Sequence, residues 1–290
     1  IPHKLALLTR AFARFRDRQD PAQLERLAAF RAAQKDWLGD FALFMALKEA
    51  HGGAAWTDWP EGLRKRRSRA LAAARREHAE AVARHEVWQW LFFEQWLALK
   101  AYANAQDIRI IGDIPIFVAF DSADVWSNPE LFFLSKDGHP TVVAGVPPDY
   151  FSATGQRWGN PLYRWSAMKR SGYAWWVARV KSTLELFDLI RIDHFRGFEA
   201  YWEIPADEPT AVKGRWVKGP GQGFFDAIRR ALGDALPIIA EDLGVITPGV
   251  EALRDANGLP GMKVLQFAFA GDSSDPYLPH TYPHTCVVYS

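Results

Sequence analysis

Leu189-Ile190-Arg191-Ile192-Asp193-His194 is a short apolar run that breaks off at an acid and a histidine. It has the length of a fully buried strand. The pattern recurs along the chain. Ile108-Arg109-Ile110-Ile111 precedes Gly112-Asp113, and Pro237-Ile238-Ile239-Ala240 precedes Glu241-Asp242. Met262 to Phe267 and Val287-Val288-Tyr289 make five candidate strands. Helical stretches lie between most of them: Ala174 to Leu186, Gly223 to Leu232 and Val250 to Asn257. This alternation predicts parallel βαβ units, as a β/α barrel or a doubly wound sheet. No G-x-G-x-x-G follows any strand, which weighs against a dinucleotide fold.

Upstream the rhythm is helical. Trp37, Phe41, Phe44 and Met45 fall at i, i+4, i+7 and i+8, and Gly52-Gly53 supplies a stop. Pro60-Glu61 reads as the first turn of another helix. Trp88, Leu91, Phe92, Trp96 and Leu99 repeat the spacing. Residues 1–100 carry 18 Lys/Arg against 12 Asp/Glu, and residues 101–290 carry 17 against 22. The expected organisation is therefore a basic helical subdomain over 1–100 and an acidic, loop-rich α/β part over 101–290.

The 290 residues are 49% hydrophobic with a net charge of +1, which excludes a disordered chain. Cys286 is the only cysteine, so no disulfide scaffold is possible. No segment reaches the roughly 18–20 apolar residues of a membrane span. A lone cysteine and the absence of a signal-peptide layout predict a cytoplasmic protein. The run Leu63-Arg64-Lys65-Arg66-Arg67-Ser68-Arg69 reads as a solvated helix face rather than a nucleic-acid site, since no reader motif accompanies it. Scattered histidines and one cysteine predict no metal, and no cofactor motif is visible. Pro279 and Pro283 keep His280 and His284 off a shared helix face.

Asp113, Asp193 and Glu241 each close a candidate strand. In a β/α barrel such ends converge on one mouth; taken singly, each reads equally as a helix cap. Glycoside chemistry needs one ionised and one protonated carboxylate. Arg191 lies two residues before Asp193, so a strand points both to one face, and the guanidinium favours the charged carboxylate. His194 could donate to a substrate hydroxyl or be a structural histidine. The Gly- and Pro-rich segment 145–161 reads as a loop, too irregular for a helix or central strand. It carries Tyr150, Phe151 and Trp158 as a stacking platform, or as a lid packed on its own barrel.

Gly112-Asp113-Ile114-Pro115-Ile116, the loop 145–161, Arg191-Ile192-Asp193-His194-Phe195-Arg196-Gly197, Ala240-Glu241-Asp242-Leu243-Gly244 and Gly261-Met262-Lys263-Val264-Leu265-Gln266-Phe267 resemble, in order, the amylomaltases. These are the 4-α-glucanotransferases of glycoside hydrolase family 77. The resemblance implies a (β/α)8 TIM barrel, about five strands of it here, with a helical insertion. It also implies transfer of α-1,4-glucan segments among maltooligosaccharides and glucose with retained anomeric configuration, without a cofactor. By that pattern Asp193 is the nucleophile and Glu241 the acid/base, while Arg191 orients the nucleophile. His194 and Asp113 bind substrate, and Tyr150, Phe151, Gln156 and Trp158 belong to an acceptor-side lid. Ala153 stands where bacterial relatives commonly have an acid.

The resemblance also implies a third catalytic Asp, in a Thr-His-Asp-Asn motif after the seventh strand, beyond Ser290. The expectation is an interior slice that is inactive and aggregation-prone alone, with open β edges. Two other readings remain: an α-glucan hydrolase, and an inactive glucan-binding fragment. The sequence carries no reading of oligomeric state.

Overall fold

Strand–helix alternation dominates from residue 111 onward in the computed structural model, which describes residues 2–149, 152–283 and 285–290. The helices in the first part are α1 (Pro2–Arg18), α2 (Pro21–Ala33), α3 (Leu38–Ala50), α4 (Glu61–Arg64), α5 (Ser68–Glu77) and α6 (Ala79–Asn104). There follow β1 (Ile111–Pro115), α7 (Ala123–Ser127), β2 (Val142–Val146), β3 (Gln156–Pro161), α8 (Trp165–Arg170), α9 (Ala174–Leu186) and β4 (Leu189–Asp193). The rest comprises β5 (Ala200–Pro205), β6 (Arg215–Lys218), α10 (Gln222–Leu232), β7 (Ile238–Ala240), α11 (Pro248–Ala256), β8 (Gly261–Val264) and β9 (Cys286–Tyr289). No helix among the described residues is long and apolar enough to cross a membrane.

Two compact units result. The helical unit takes in the described residues up to Ala101 together with Phe120–Pro129 and Lys136–His139. Phe120–Pro129 belongs to it because Trp126 of α7 packs on Phe44 and Trp59, at ring-centroid distances of 5.8 and 5.7 Å. Lys136–His139 belongs to it because Asp137 meets Arg64 at 3.8 Å and His139 packs on Phe120. Asp20 opens α2 by accepting from Ala22 N at 3.0 Å, with Pro21 at the first helical position. α3 stops where Gly52 and Gly53 turn to φ +62° and +82°.

The helix positions read from the sequence hold, but the buried stripes are rotated. α3 buries Leu38, Ala42, Leu43, Phe44, Ala46 and Leu47, leaving Trp37, Phe41 and Met45 partly covered. α6 buries His85, Val87, Trp90 and Phe93 and leaves Phe92 and Leu99 exposed. Neither helix segregates its polar residues to one side, so period alone cannot choose the stripe. The basic run is likewise not one solvated helix face. It spans α4, a turn with Arg66 at φ +50°, and the start of α5. Arg66 pairs with Asp40 at 2.6 Å and covers the Trp126 ring at 4.3 Å.

The second unit holds two main sheets. β1, β4 and β7 form a parallel sheet in the order β1-β4-β7. β8 and β9 pair in parallel separately, and Ala240 N donates to Pro260 O at 2.9 Å just ahead of β8. β8 stops at Val264, where a 3-10 turn over Leu265–Ala270 replaces the expected strand end. The second sheet is antiparallel, in the order β3-β2-β5-β6, and the sequence reading did not foresee it. It corrects the loop assigned to 145–161: both ends of that segment are strand, β2 running up to Val146 and β3 starting at Gln156. Pro161 is tolerated because β3 is an edge strand.

β1 and β4 are buried on one face only, with alternating burial, against the expectation of full burial. An aromatic core forms among α9, α10 and the turn after β4. Trp176 of α9, Phe198, and Phe224 and Phe225 of α10 are fully buried, and Phe198 stacks on Phe224 at 4.5 Å. Among the described residues, Trp56, Trp59, Trp90, Trp126 and Trp176 and Tyr163, Tyr173 and Tyr201 are buried in packing rather than free for sugar stacking. Arg179 of α9 fastens the helix to the strand end by donating to Pro115 O at 2.7 Å.

Candidate active site

Period-2 geometry puts Asp113, Arg191 and Asp193 on the open face of the parallel sheet, opposite the buried Ile114, Ile190 and Ile192. Register pairs Asp113 with Arg191 and Pro115 with Asp193. The three acids are therefore not at one level: Asp113 sits inside β1, two residues short of the level of Asp193. Sequence spacing carries no register, and β1 begins three residues later than its apolar run.

Arg191 closes that gap. One Nη donates to Asp113 Oδ1 and the other to Asp193 Oδ1, each at 2.7 Å, and Nε meets Met262 Sδ at 3.3 Å. Burial pulls the guanidinium pKa down, but the hydrogen bond and charge of Asp113, with the charges of Asp193 and Glu241, leave it raised. The arginine is a fixed cation holding one oxygen of each carboxylate.

Glu241 directly follows β7, beside the end of β4. Its N donates to Ile192 O and its carbonyl accepts from Phe195 N, both at 3.1 Å. The carboxylate is buried: Oε2 accepts from His194 N at 2.7 Å and Oε1 from Leu243 N at 2.8 Å. Burial raises its pKa, and the charge of Asp193 adds to this; the two N–H groups and Arg191 oppose without prevailing. Neighbouring carboxyls thus have opposite settings, one half-exposed on a guanidinium, the other enclosed and biased toward its neutral form.

His194 takes φ +59°, a left-handed turn that aims its N–H at Glu241. Burial, then the Arg196 charge, lowers the imidazole pKa to about 4, so the ring is neutral. Its Nε2 has no hydrogen-bond partner among the described residues. Trp158 meets the ring edge-on at 4.8 Å and donates from Nε1 to Gln156 Oε1 at 3.1 Å. Gly197 closes the turn, where a Cβ would stand 2.7 Å from Ile116 Cδ1 and 3.4 Å from His194 Cδ2.

The structure thus brings together Asp113, Arg191 and Asp193, and beside them Glu241, His194, Gln156 and Trp158. Tyr150 and Phe151 lie outside the described residues. Several neighbours had no role assigned from sequence. Asp242, with its side chain 7% exposed, accepts from Met262 N at 2.7 Å and from Arg254 at 2.5 Å. Tyr277 has its pKa raised by burial, then by the charges of Asp242, Asp275 and Glu241. Asp242 and Met262 fall inside recognisable motifs. Arg254 and Tyr277 carry no local signal toward the site: Asp242 lies 12 residues from Arg254, and Glu241 lies 36 residues from Tyr277. No group of three or more His, Cys, Asp or Glu able to hold a metal occurs among the described residues.

The profile of the family described as 4-alpha-glucanotransferase, glycoside hydrolase family 77, matches residues 1–290. The chain is 61% identical over 280 residues to a 4-alpha-glucanotransferase of Thermus thermophilus, covering 97% of this chain and 56% of that protein. It is 53% identical to the 4-alpha-glucanotransferase of Synechocystis, covering 100% and 58%. It thus spans about half the length of the curated relatives it matches. The amylomaltase from Streptococcus agalactiae, solved in complex with acarbose, superposes with a TM-score of 0.95 at 41% identity, over 100% of this chain and 58% of that one. The mixed α/β fold is that of an amylomaltase, and the chain belongs to the 4-alpha-glucanotransferases of glycoside hydrolase family 77.

Proposed function

We propose that the site performs retaining transfer of α-1,4-glucan segments, with Asp193 as nucleophile and Glu241 as acid/base. One observation carries this: two carboxylates at the ends of hydrogen-bonded parallel strands, one fastened to Arg191 and the other buried with a raised pKa. Adjacent strands stand about 4.8 Å apart, near the separation of about 5–5.5 Å that retaining chemistry needs.

An Asp193 oxygen attacks the anomeric carbon while the glycosidic C–O bond breaks and its oxygen takes the Glu241 proton. The glycosyl ester on Asp193 is then opened by the 4-hydroxyl of an acceptor glucan or glucose. That hydroxyl gives its proton to Glu241, and the Asp193 carboxylate is freed. Arg191 steadies Asp193 throughout, and Asp113 and His194 meet sugar hydroxyls. Gln156 and Trp158 form the acceptor-side wall that favours sugar over water, and Tyr150 and Phe151 are assigned to acceptor binding by the family resemblance. We read β1, β4, β7, β8 and β9 as strands of a (β/α)8 barrel and the reaction as cytoplasmic, in keeping with the lone Cys286.

Asp193→Asn in the intact gene product should lower disproportionation of maltotriose on the order of 10³-fold or more. Retained turnover sinks the assignment. Counting reducing ends in the same assay separates transfer, which conserves them, from hydrolysis, which raises them.

A further inference from the structure

Arg196 is a buried cation, 6% exposed, with no carboxylate at ion-pair distance among the described residues. Burial pulls its pKa down, and the more distant charge of Glu199 only partly offsets this. Such a group is costly unless its geometry is used. Its contacts are specific. The guanidinium carbon lies 3.9 Å from the centroid of the Trp216 ring on β6, and Nη1 donates to Val245 O. Val245 is itself exposed, on the loop that leads from Glu241 to α11.

That hydrogen bond has a particular place in the chain. Glu241 is held by two N–H donors, His194 N and Leu243 N. Arg196 lies two residues after the first donor and Val245 two residues after the second. The Arg196–Val245 bond therefore clasps the segments that supply both donors. Gly244, at φ +85°, lets the loop turn back between Leu243 and Val245. Trp216, from the antiparallel sheet, backs the guanidinium on its flat face.

We propose that Arg196, clamped by Trp216, is a positioning residue for Glu241: it fixes the loop 242–247 so that the Glu241 carboxyl stays aimed at the leaving oxygen. The proposal rests on the acid/base reading of Glu241. If the clasp opens, Leu243 N drifts from Oε1 and the carboxyl loses its aim, while Asp193 and Arg191 are untouched. The loss then falls on proton transfer rather than on nucleophilic attack.

The test compares two reactions of the intact gene product. Maltotriose disproportionation needs proton transfer in both half-reactions. With α-maltosyl fluoride as donor, fluoride leaves without a proton, and azide as acceptor attacks the glycosyl ester without a base. Arg196→Met should lose about 10- to 100-fold with maltotriose but no more than about threefold with the fluoride–azide pair. Trp216→Ala, at an exposed position on the edge strand β6, should show the same selectivity to a smaller degree. Equal losses in both reactions, or no loss with maltotriose, overturn the proposal. Glu241→Gln runs alongside: if it shows no such selectivity, the acid/base reading itself fails. If it does and both Arg196→Met and Trp216→Ala do not, only the positioning role falls.

Discussion

Arg191 and His194 serve the site in opposite ways: one is a permanent cation between two carboxylates, the other a ring kept neutral by its surroundings. The histidine has a consequence for stability. Its folded pKa of about 4 lies below the ordinary 6.5, because burial disfavours the imidazolium. As pH falls through that window the unfolded chain takes up the proton first. The contribution of the neutral ring is therefore complete above 6.5 and lost progressively toward 4, up to about 3 kcal/mol. Urea unfolding of the intact gene product should show stability falling between about pH 7 and 4.5, with a shallower fall in His194→Gln. Equal slopes in the two proteins would show that His194 does not titrate in that way. At this scale the shared face of Arg191 and Asp193 was legible, because alternation along a strand is local. The contact of Trp158 with His194 was not, because it depends on how a hairpin 36 residues away folds back.

Elements were legible where their period was clean. α9 has the bounds its apolar spacing predicts, Ala174–Leu186, and α10 and α11 begin within two residues of theirs. The antiparallel sheet escaped notice because Gly145, Gly159 and Pro161 imitate a loop, while pairing partners from β5 make the segment a strand. The turn between α4 and α5 shows the same override. Arg66 looks like one more surface cation, yet it is half-buried between Asp40 and Trp126. Arg66→Ala should cost about 1–3 kcal/mol through the lost ion pair, hydrogen bond and ring contact. Arg69→Ala, at an exposed position in the same run, should stay within about 0.5 kcal/mol. Thermal unfolding compares them, and equal shifts would return the whole run to the solvated reading.

Across the molecule, apolar side chains stand open in the second unit: Ile108 and Ile111 by the edge strand β1, and Phe267, Phe269 and Tyr289 around β8 and β9. An uncovered strand edge beside exposed isoleucines is a template for pairing with another chain. A net charge of only +1 supplies little repulsion. These 290 residues expressed by themselves should self-associate at micromolar concentration in light scattering; a monodisperse monomer at about 10 μM would contradict this. Local sequence determined the α/β class, the positions of most helices, the shared face of Arg191 and Asp193, and the motifs that mark the family, because period and residue type act over a few neighbours. Only the tertiary structure decided the register that drops Asp113 below Asp193, the burial that raises the Glu241 pKa, the hairpin that brings Trp158 to His194, and the Arg196 clasp. Each of these depends on which distant segment supplies the neighbour, the hydrogen-bond donor or the low-dielectric wall, and no local pattern encodes that.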